Sequence, residues 1–169
     1  MFAIDVTQNA DFSYVQLNEQ LKALLEEERT PLANLAQFAA FVFQTVPHLN
    51  WAGFYLLDGK ELVLGPFQGK VACFRIPMNR GVCGAAASAR KPVLVPNVHE
   101  FPGHIACDSA SQSELVIPLL FEGSLLGVLD LDSPLSGRFT EEDQHGLELL
   151  FTTLIRASDW SMPWGPSFS

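Results

Sequence analysis

Residues 113–132 read SELVIPLLFEGSLLGVLDLD, two apolar runs interrupted only by Glu122 and Gly123. Each run falls far short of the roughly 20 apolar residues a membrane helix needs. The break between them reads as the turn of a β-hairpin, which commits the chain to an antiparallel sheet. A second hairpin signal precedes it: in WAGFYLLDGKELVLGP, Asp58-Gly59 sits between two further apolar runs. KVACFRIPM, which carries Cys73, and VLVPNV read as additional strands.

The rest of the chain is helical in pattern. FSYVQLNEQLKALLEEE, Phe12 to Glu28, places Val15, Leu17, Leu21, Leu24 and Leu25 close to one helical stripe. PLANLAQFAAFVFQTV follows, with Pro31 in the first turn. GVCGAAASARKP reads as a short Ala-rich helix that Lys91-Pro92 closes. TEEDQHGLELLFTTLIRAS opens with Thr140 and a run of acids, a capping signal, and continues as an amphipathic helix. The expectation is one α+β domain over residues 1–158, with a mostly antiparallel central sheet of about six strands flanked by helices. DWSMPWGPSFS, residues 159–169, reads as a loosely ordered tail.

Composition excludes several function classes. A chain of 169 residues that is 48% hydrophobic and 17% charged is a folded domain rather than a disordered segment. Its net charge of −9 argues against nucleic acid or an anionic membrane as partner, since both need a basic face. MFAIDVTQNADFSYVQ has neither the basic nor the apolar region of a signal peptide, so the expected compartment is the cytoplasm. Three cysteines there are reduced at rest, and the odd count leaves one thiol unpaired in any intramolecular scheme.

Those cysteines are the first candidates for chemistry. Cys73, Cys83 and Cys107 form no CxxC pair, so a structural zinc site has little support, and His99, His104 and Cys107 make only a weak metal set. Cys73, read as lying in a strand, has the signature of a buried core residue. Cys83 and Cys107 lie among glycines and small polar residues that leave room for a ligand. Cys107 sits in the long loop FPGHIACDSASQ, where His104 three residues earlier would favour a thiolate. Two further cysteines in one small domain offer a route to a reversible disulfide.

The acids are the second. Asp130 and Asp132 end an apolar strand, and alternation puts both on one face. Where Glu114 points depends on the turn across the hairpin. A three-residue loop, Glu122 to Ser124, sets Glu114 opposite Asp132; a two-residue turn sends it to the other face. In the first register three carboxyls meet on one wall, which raises the pKa of at least one and invites a cation. In the other reading the aspartates are strand ends in water. Trp51 and Tyr55 share a strand face as well, either as core or as an aromatic wall for a small ammonium-bearing ligand.

Taken together, NWAGFYLL, the GPFQGK block, GVCGAAA, FPGHIACDSASQSELVIPL and GVLDLDSP…RFTEEDQHGLE closely resemble the free methionine-(R)-sulfoxide reductases, small GAF-domain enzymes, over roughly residues 12–157. Asn97 departs from the aspartate usual there, and the segment after Ser158 has no recognised counterpart. The resemblance implies a single GAF-like domain that reduces free methionine-(R)-sulfoxide, with Cys107 as nucleophile and a sulfenic acid as intermediate. It implies Cys73 as the principal resolving cysteine and Cys83 as a secondary one or a relay. Glu114, Asp130 and Asp132 would hold the substrate ammonium and polarise or protonate the sulfoxide oxygen, with Trp51 packing near the methyl end. Thioredoxin as reductant, a homodimer, a role in oxidative stress and no metal or organic cofactor are further expectations. The alternative is a GAF ligand- or redox-sensing module without turnover.

Overall fold

The computed structural model describes residues 12–162. In chain order the elements are α1 (Tyr14–Leu24), α2 (Pro31–Thr45), β1 (Trp51–Asp58), β2 (Glu61–Gly69), β3 (Arg75–Pro77), α3 (Gly81–Ala89), β4 (Val93–Val95), a 3-10 turn (Val98–Glu100), β5 (Ser113–Phe121), β6 (Ser124–Ser133) and α4 (Glu141–Ala157). The strands form one sheet in the order β3-β2-β1-β6-β5-β4, every neighbouring pair antiparallel. This is the expected α+β domain.

Helix α1 is shorter than its pattern. Tyr14, Leu17, Leu21 and Leu25 are buried, whereas Val15, one position off that stripe, is exposed. The glutamates 26–28 follow the last turn, where the negative end of the helix dipole disfavours them. Helix α2 starts on Pro31, whose missing N–H is no loss at a first-turn position. Helix α4 carries a full capping box. Asp143 N–H donates to Thr140 Oγ1 (3.2 Å), and Thr140 N–H donates to Asp143 Oδ2 (2.9 Å). Asp143 also accepts from the Tyr14 hydroxyl at 2.7 Å and from Arg138 Nη1 at 2.9 Å, which stitches α1 to α4. Gly146 completes the seam, since a Cβ there would run into the Tyr14 ring.

Both sheet faces are covered, which is why β5 and β6 are apolar on both faces apart from Glu114, Asp130, Asp132 and the serines at their ends. One face carries Phe54, Leu115, Leu129 and Leu131 and packs on α1, α2 and α4 through Leu21, Phe38 and Leu150. The other carries Tyr55, Leu62, Val116 and Val128 under Val82 and Ala86 of α3. Helix α3 stops at Arg90, which takes a left-handed conformation (φ 53°) ahead of the Lys91-Pro92 stop.

The β5–β6 turn departs from both simple expectations. It is a two-residue turn, Glu122-Gly123, with positive φ at each (48° and 78°), and Phe121 pairs with Ser124. Yet Glu114 lies opposite Asp132. The register shifts between Leu119↔Gly127 and Leu120↔Leu125, so Leu126 is an extra residue on β6. That bulge converts the register of a two-residue turn into the one expected of a three-residue loop.

Cys73 corrects a second expectation. KVACFRIPM is a strand only over Arg75–Pro77, and Cys73 sits in the connection before it, half-buried rather than in the core. Of the tail, Asp159 N–H donates to Arg29 O at 2.8 Å and the Trp160 indole donates to Ile155 O at 2.9 Å. The tail beyond Met162, and the leading residues used to argue against a signal peptide, lie outside the described residues. Among the described residues no helix is long and apolar enough to cross a membrane.

Candidate active site

A pocket opens on the α3 side of the sheet, floored by β1, β5 and β6 and walled by α3 and two connecting segments. Trp51, Tyr55, Cys83, Cys107, Glu114, Asp130 and Asp132 all line it. The antiparallel registers explain why. Asp132 lies between Trp51 on β1 and Glu114 on β5, and Asp130 between Gly53 and Val116. Strand alternation therefore aims all three carboxyls at one wall.

The aromatic side chains do two jobs. The Trp51 ring stacks on Phe67 (centroids 5.3 Å) and on Tyr55 (5.8 Å). Gly53 permits this, because a Cβ there would strike the Phe67 side chain and backbone and the Trp51 ring. Their polar atoms tether the next segment: Trp51 Nε1–H donates to Lys70 O (3.1 Å) and the Tyr55 hydroxyl donates to Cys73 O (2.9 Å). The aromatic residues are thus both wall and anchor.

On the opposite side Asn50 fastens the loop that carries Cys107. Its side-chain amide donates to Asp108 Oδ2 and to Ser111 Oγ, each at 3.1 Å, and Asp108 Oδ1 accepts from Ala110 N–H at 2.9 Å. With both loops tethered, Cys73 and Cys107 form a disulfide, with Cα atoms 5.7 Å apart. Cys73 is therefore bonded to Cys107 and is not the core residue its strand-like context predicts.

Electrostatics in the pocket turn on burial. Asp130 and Glu114 are 6% and 5% exposed. Burial, and then the neighbouring Asp132 charge, holds the Glu114 carboxyl well above its ordinary range. Burial and then Glu114 do the same to Asp130, and burial, Asp130 and Asp108 do so to Asp132. One atom each of Glu114, Asp130 and Cys83 falls within a 4.8 Å group. Two like charges at that spacing repel by about 3–4 kcal/mol at an effective dielectric near 20. Ionising the whole wall at once is therefore disfavoured. Burial and then the Asp130 charge push the Cys83 thiol up, so it stays protonated and donates to Asp130, a poor nucleophile.

His104 lines the same pocket as Cys107. Its Nε2 sits 3.3 Å from Glu114 Oε2, and burial lowers its pKa, so it abuts the acid wall as a neutral ring. The metal set His99, His104 and Cys107 is not assembled: His99 is exposed on the 3-10 turn and Cys107 is bonded to Cys73. Among the described residues, Cys83, Glu114 and Asp130 are the group whose ligand atoms lie close enough for a metal ion. Sequence reading missed Phe67, Asn50, Ser111 and Ile105. Each stands in a block that carries the resemblance: Asn50 in NWAGFYLL, Phe67 in GPFQGK, Ile105 and Ser111 in FPGHIACDSASQ.

A six-stranded antiparallel sheet with a helical layer on one face and a pocket on the other is the architecture of a GAF domain. The GAF domain family model matches residues 32–157. Within that class, the chain is 50% identical over 141 residues to the Escherichia coli free methionine-R-sulfoxide reductase, covering 83% of this chain and 86% of that protein. A Neisseria meningitidis free methionine-R-sulfoxide reductase, solved in complex with its substrate, superposes with a TM-score of 0.87 at 40% identity, over 93% of this chain and 95% of that one. A Burkholderia vietnamiensis protein described as a putative GAF sensor superposes at 0.83 with 51% identity, over 86% and 92% of the two chains. The chain belongs to the free methionine-R-sulfoxide reductase family.

Proposed function

We propose that this chain reduces free methionine-(R)-sulfoxide to methionine. The observation that carries the reading is that Cys107, bonded to Cys73, lines one pocket with the carboxyls of Glu114, Asp130 and Asp132. A sulfoxide sulfur becomes electrophilic only when its oxygen is protonated or strongly hydrogen-bonded, and a carboxyl held neutral near pH 7 is the group that does this. Cys107 thiolate attacks that sulfur. The oxygen takes a proton from the wall and passes to Cys107 as a sulfenic acid, releasing methionine. The Cys73 thiol then attacks Cys107 sulfur, expelling the oxygen as water and forming the disulfide. A dithiol such as thioredoxin returns both cysteines to thiols and is itself oxidised.

The remaining carboxyls hold the substrate ammonium. Its arrival offsets the burial that keeps them protonated, so binding releases protons to solvent. A peptide-bound sulfoxide has an amide where the wall needs a cation and is rejected. The R preference rests on the relatives; the reducing cytoplasm suits the thiol chemistry. A sensing module would use the disulfide but gives the acid wall no task.

The test is turnover with dithiothreitol, resolved by epimer. Wild type should consume the free R epimer and spare the S epimer and N-acetylated sulfoxide, and Cys107→Ser should be inactive. No turnover of free sulfoxide by the reduced protein, or near-normal turnover by Cys107→Ser, would overturn the reading.

A further inference from the structure

The segment Lys70–Arg80, KVACFRIPMNR, has three cations and no acid in a chain of net charge −9. It also shows the two most exposed large apolar side chains among the described residues, Val71 (87%) and Phe74 (81%), on either side of Cys73. These side chains do not hang on a loose strand of chain. Trp51 holds Lys70 O, Tyr55 holds Cys73 O, and Leu64 N–H donates to Phe74 O at 2.9 Å. Arg75 is paired with Asp58 and Glu61, and Lys70 reaches Asp108 Oδ1 at 3.7 Å while its side chain stays 73% exposed. The Arg80 side chain makes no hydrogen bond or ion pair among the described residues. Arg80 caps α3, whose first residue Gly81 lies against Ile105, two residues from Cys107.

A pre-organised apolar pair beside a disulfide, rimmed by the unpaired Arg80 and the largely exposed Lys70, fits a protein whose reactive thiols sit in an apolar, acidic surface. We propose that residues 70–80 are the docking surface for an acidic protein dithiol, whose thiolate attacks the Cys73 sulfur. The inference rests on the reductase reading for its physiological meaning. In the exchange a bond forms between the partner's sulfur and Cys73, and the Cys73–Cys107 bond breaks with Cys107 leaving as thiolate. The partner's second thiol then displaces Cys73 as thiolate. The partner is oxidised to its disulfide, and its two protons end on the two cysteines. Cys73 is the attacked atom because the exposed apolar residues flank it and not Cys107.

The experiment needs no sulfoxide. Oxidised wild type, Phe74→Ser and Arg80→Glu are mixed with reduced thioredoxin or with dithiothreitol, and loss of the disulfide is followed by thiol labelling and mass spectrometry. Phe74→Ser should slow thioredoxin by about fivefold or more, as expected for an interfacial aromatic anchor, and leave dithiothreitol within about twofold. Arg80→Glu should slow thioredoxin at low salt, with the difference shrinking as salt rises. A thioredoxin lacking its second active-site cysteine should be trapped on the Cys73 peptide. The proposal is overturned if Phe74→Ser matches wild type with thioredoxin, if it slows both reductants equally, or if the trapped partner is on Cys107. Failure of sulfoxide turnover would instead sink the reductase reading while leaving these rates measurable.

Discussion

Asp130 is the most constrained residue of the pocket. It is buried, its Oδ1 has no hydrogen-bond partner, and Cys83, Glu114 and the Leu131 backbone N–H engage the carboxyl otherwise. A buried carboxyl with an idle oxygen costs stability unless a ligand uses it. If the three acids divide the work, removing a binding carboxyl raises KM, whereas removing the proton donor lowers kcat, because that interaction strengthens only in the transition state. General acid catalysis is typically worth about 10²- to 10⁴-fold, so steady-state kinetics of Glu114→Gln, Asp130→Asn and Asp132→Asn should separate the two kinds. All three variants within about threefold of wild type in both constants, under about 1 kcal/mol, would return the acids to a structural role.

At the scale of elements, the β5–β6 hairpin decides the site. Leu126 lets a two-residue turn coexist with the Glu114–Asp132 pairing, so deleting it should leave a regular ladder with the same pairing. Leu120↔Leu125 would then be followed directly by Leu119↔Gly127. We expect that deletion to keep sulfoxide turnover within about tenfold, the cost coming from a lost half-buried leucine. A folded deletion variant, by circular dichroism, with no turnover would show that the bulge itself shapes the pocket. The same hairpin shows what was legible in the sequence. Alternation places Asp130 and Asp132 on one face, and Thr140 with its acids starts α4 where the structure starts it. Glu114 reaches the wall through a bulge that no turn rule announces, because a bulge is settled by what packs on the two faces. Cys73 was hidden differently: apolar residues flank it in strand-like fashion, but Val71 and Phe74 are exposed. Phe67 and Asn50 act across strands and loops, and such contacts leave no local pattern.

For the molecule as a whole, the acid wall opposes folding as pH rises. An ordinary carboxylate titrates near 4, and these three sit well above that when folded. Between the two values the folded chain holds more protons than the unfolded one, so stability falls as pH climbs through that interval. Asp143 works the other way. Burial alone would raise it, but Tyr14, Thr140 and Arg138 hold it down, so its contribution is present above the carboxylate range and lost as pH falls. Urea unfolding of the disulfide-bonded protein from about pH 5 to about pH 8 should therefore show declining stability, and Asp130→Asn should flatten the decline. An identical slope in that variant would mean Asp130 is already ionised in the folded chain.

The Cys73–Cys107 bond joins residues 34 apart, enclosing β3, α3 and β4 in a covalent ring. Closing a ring of that size removes enough freedom from the unfolded chain to favour the folded one by about 3–4 kcal/mol. In the proposed cycle, which makes and breaks this bond, each molecule passes between a tougher and a more fragile form. When reductant runs short the idle, oxidised form accumulates, and it opens less often to proteases. Scarcity of electrons thus lengthens the life of the catalyst waiting for them, keeping a reserve that returns to work when supply recovers.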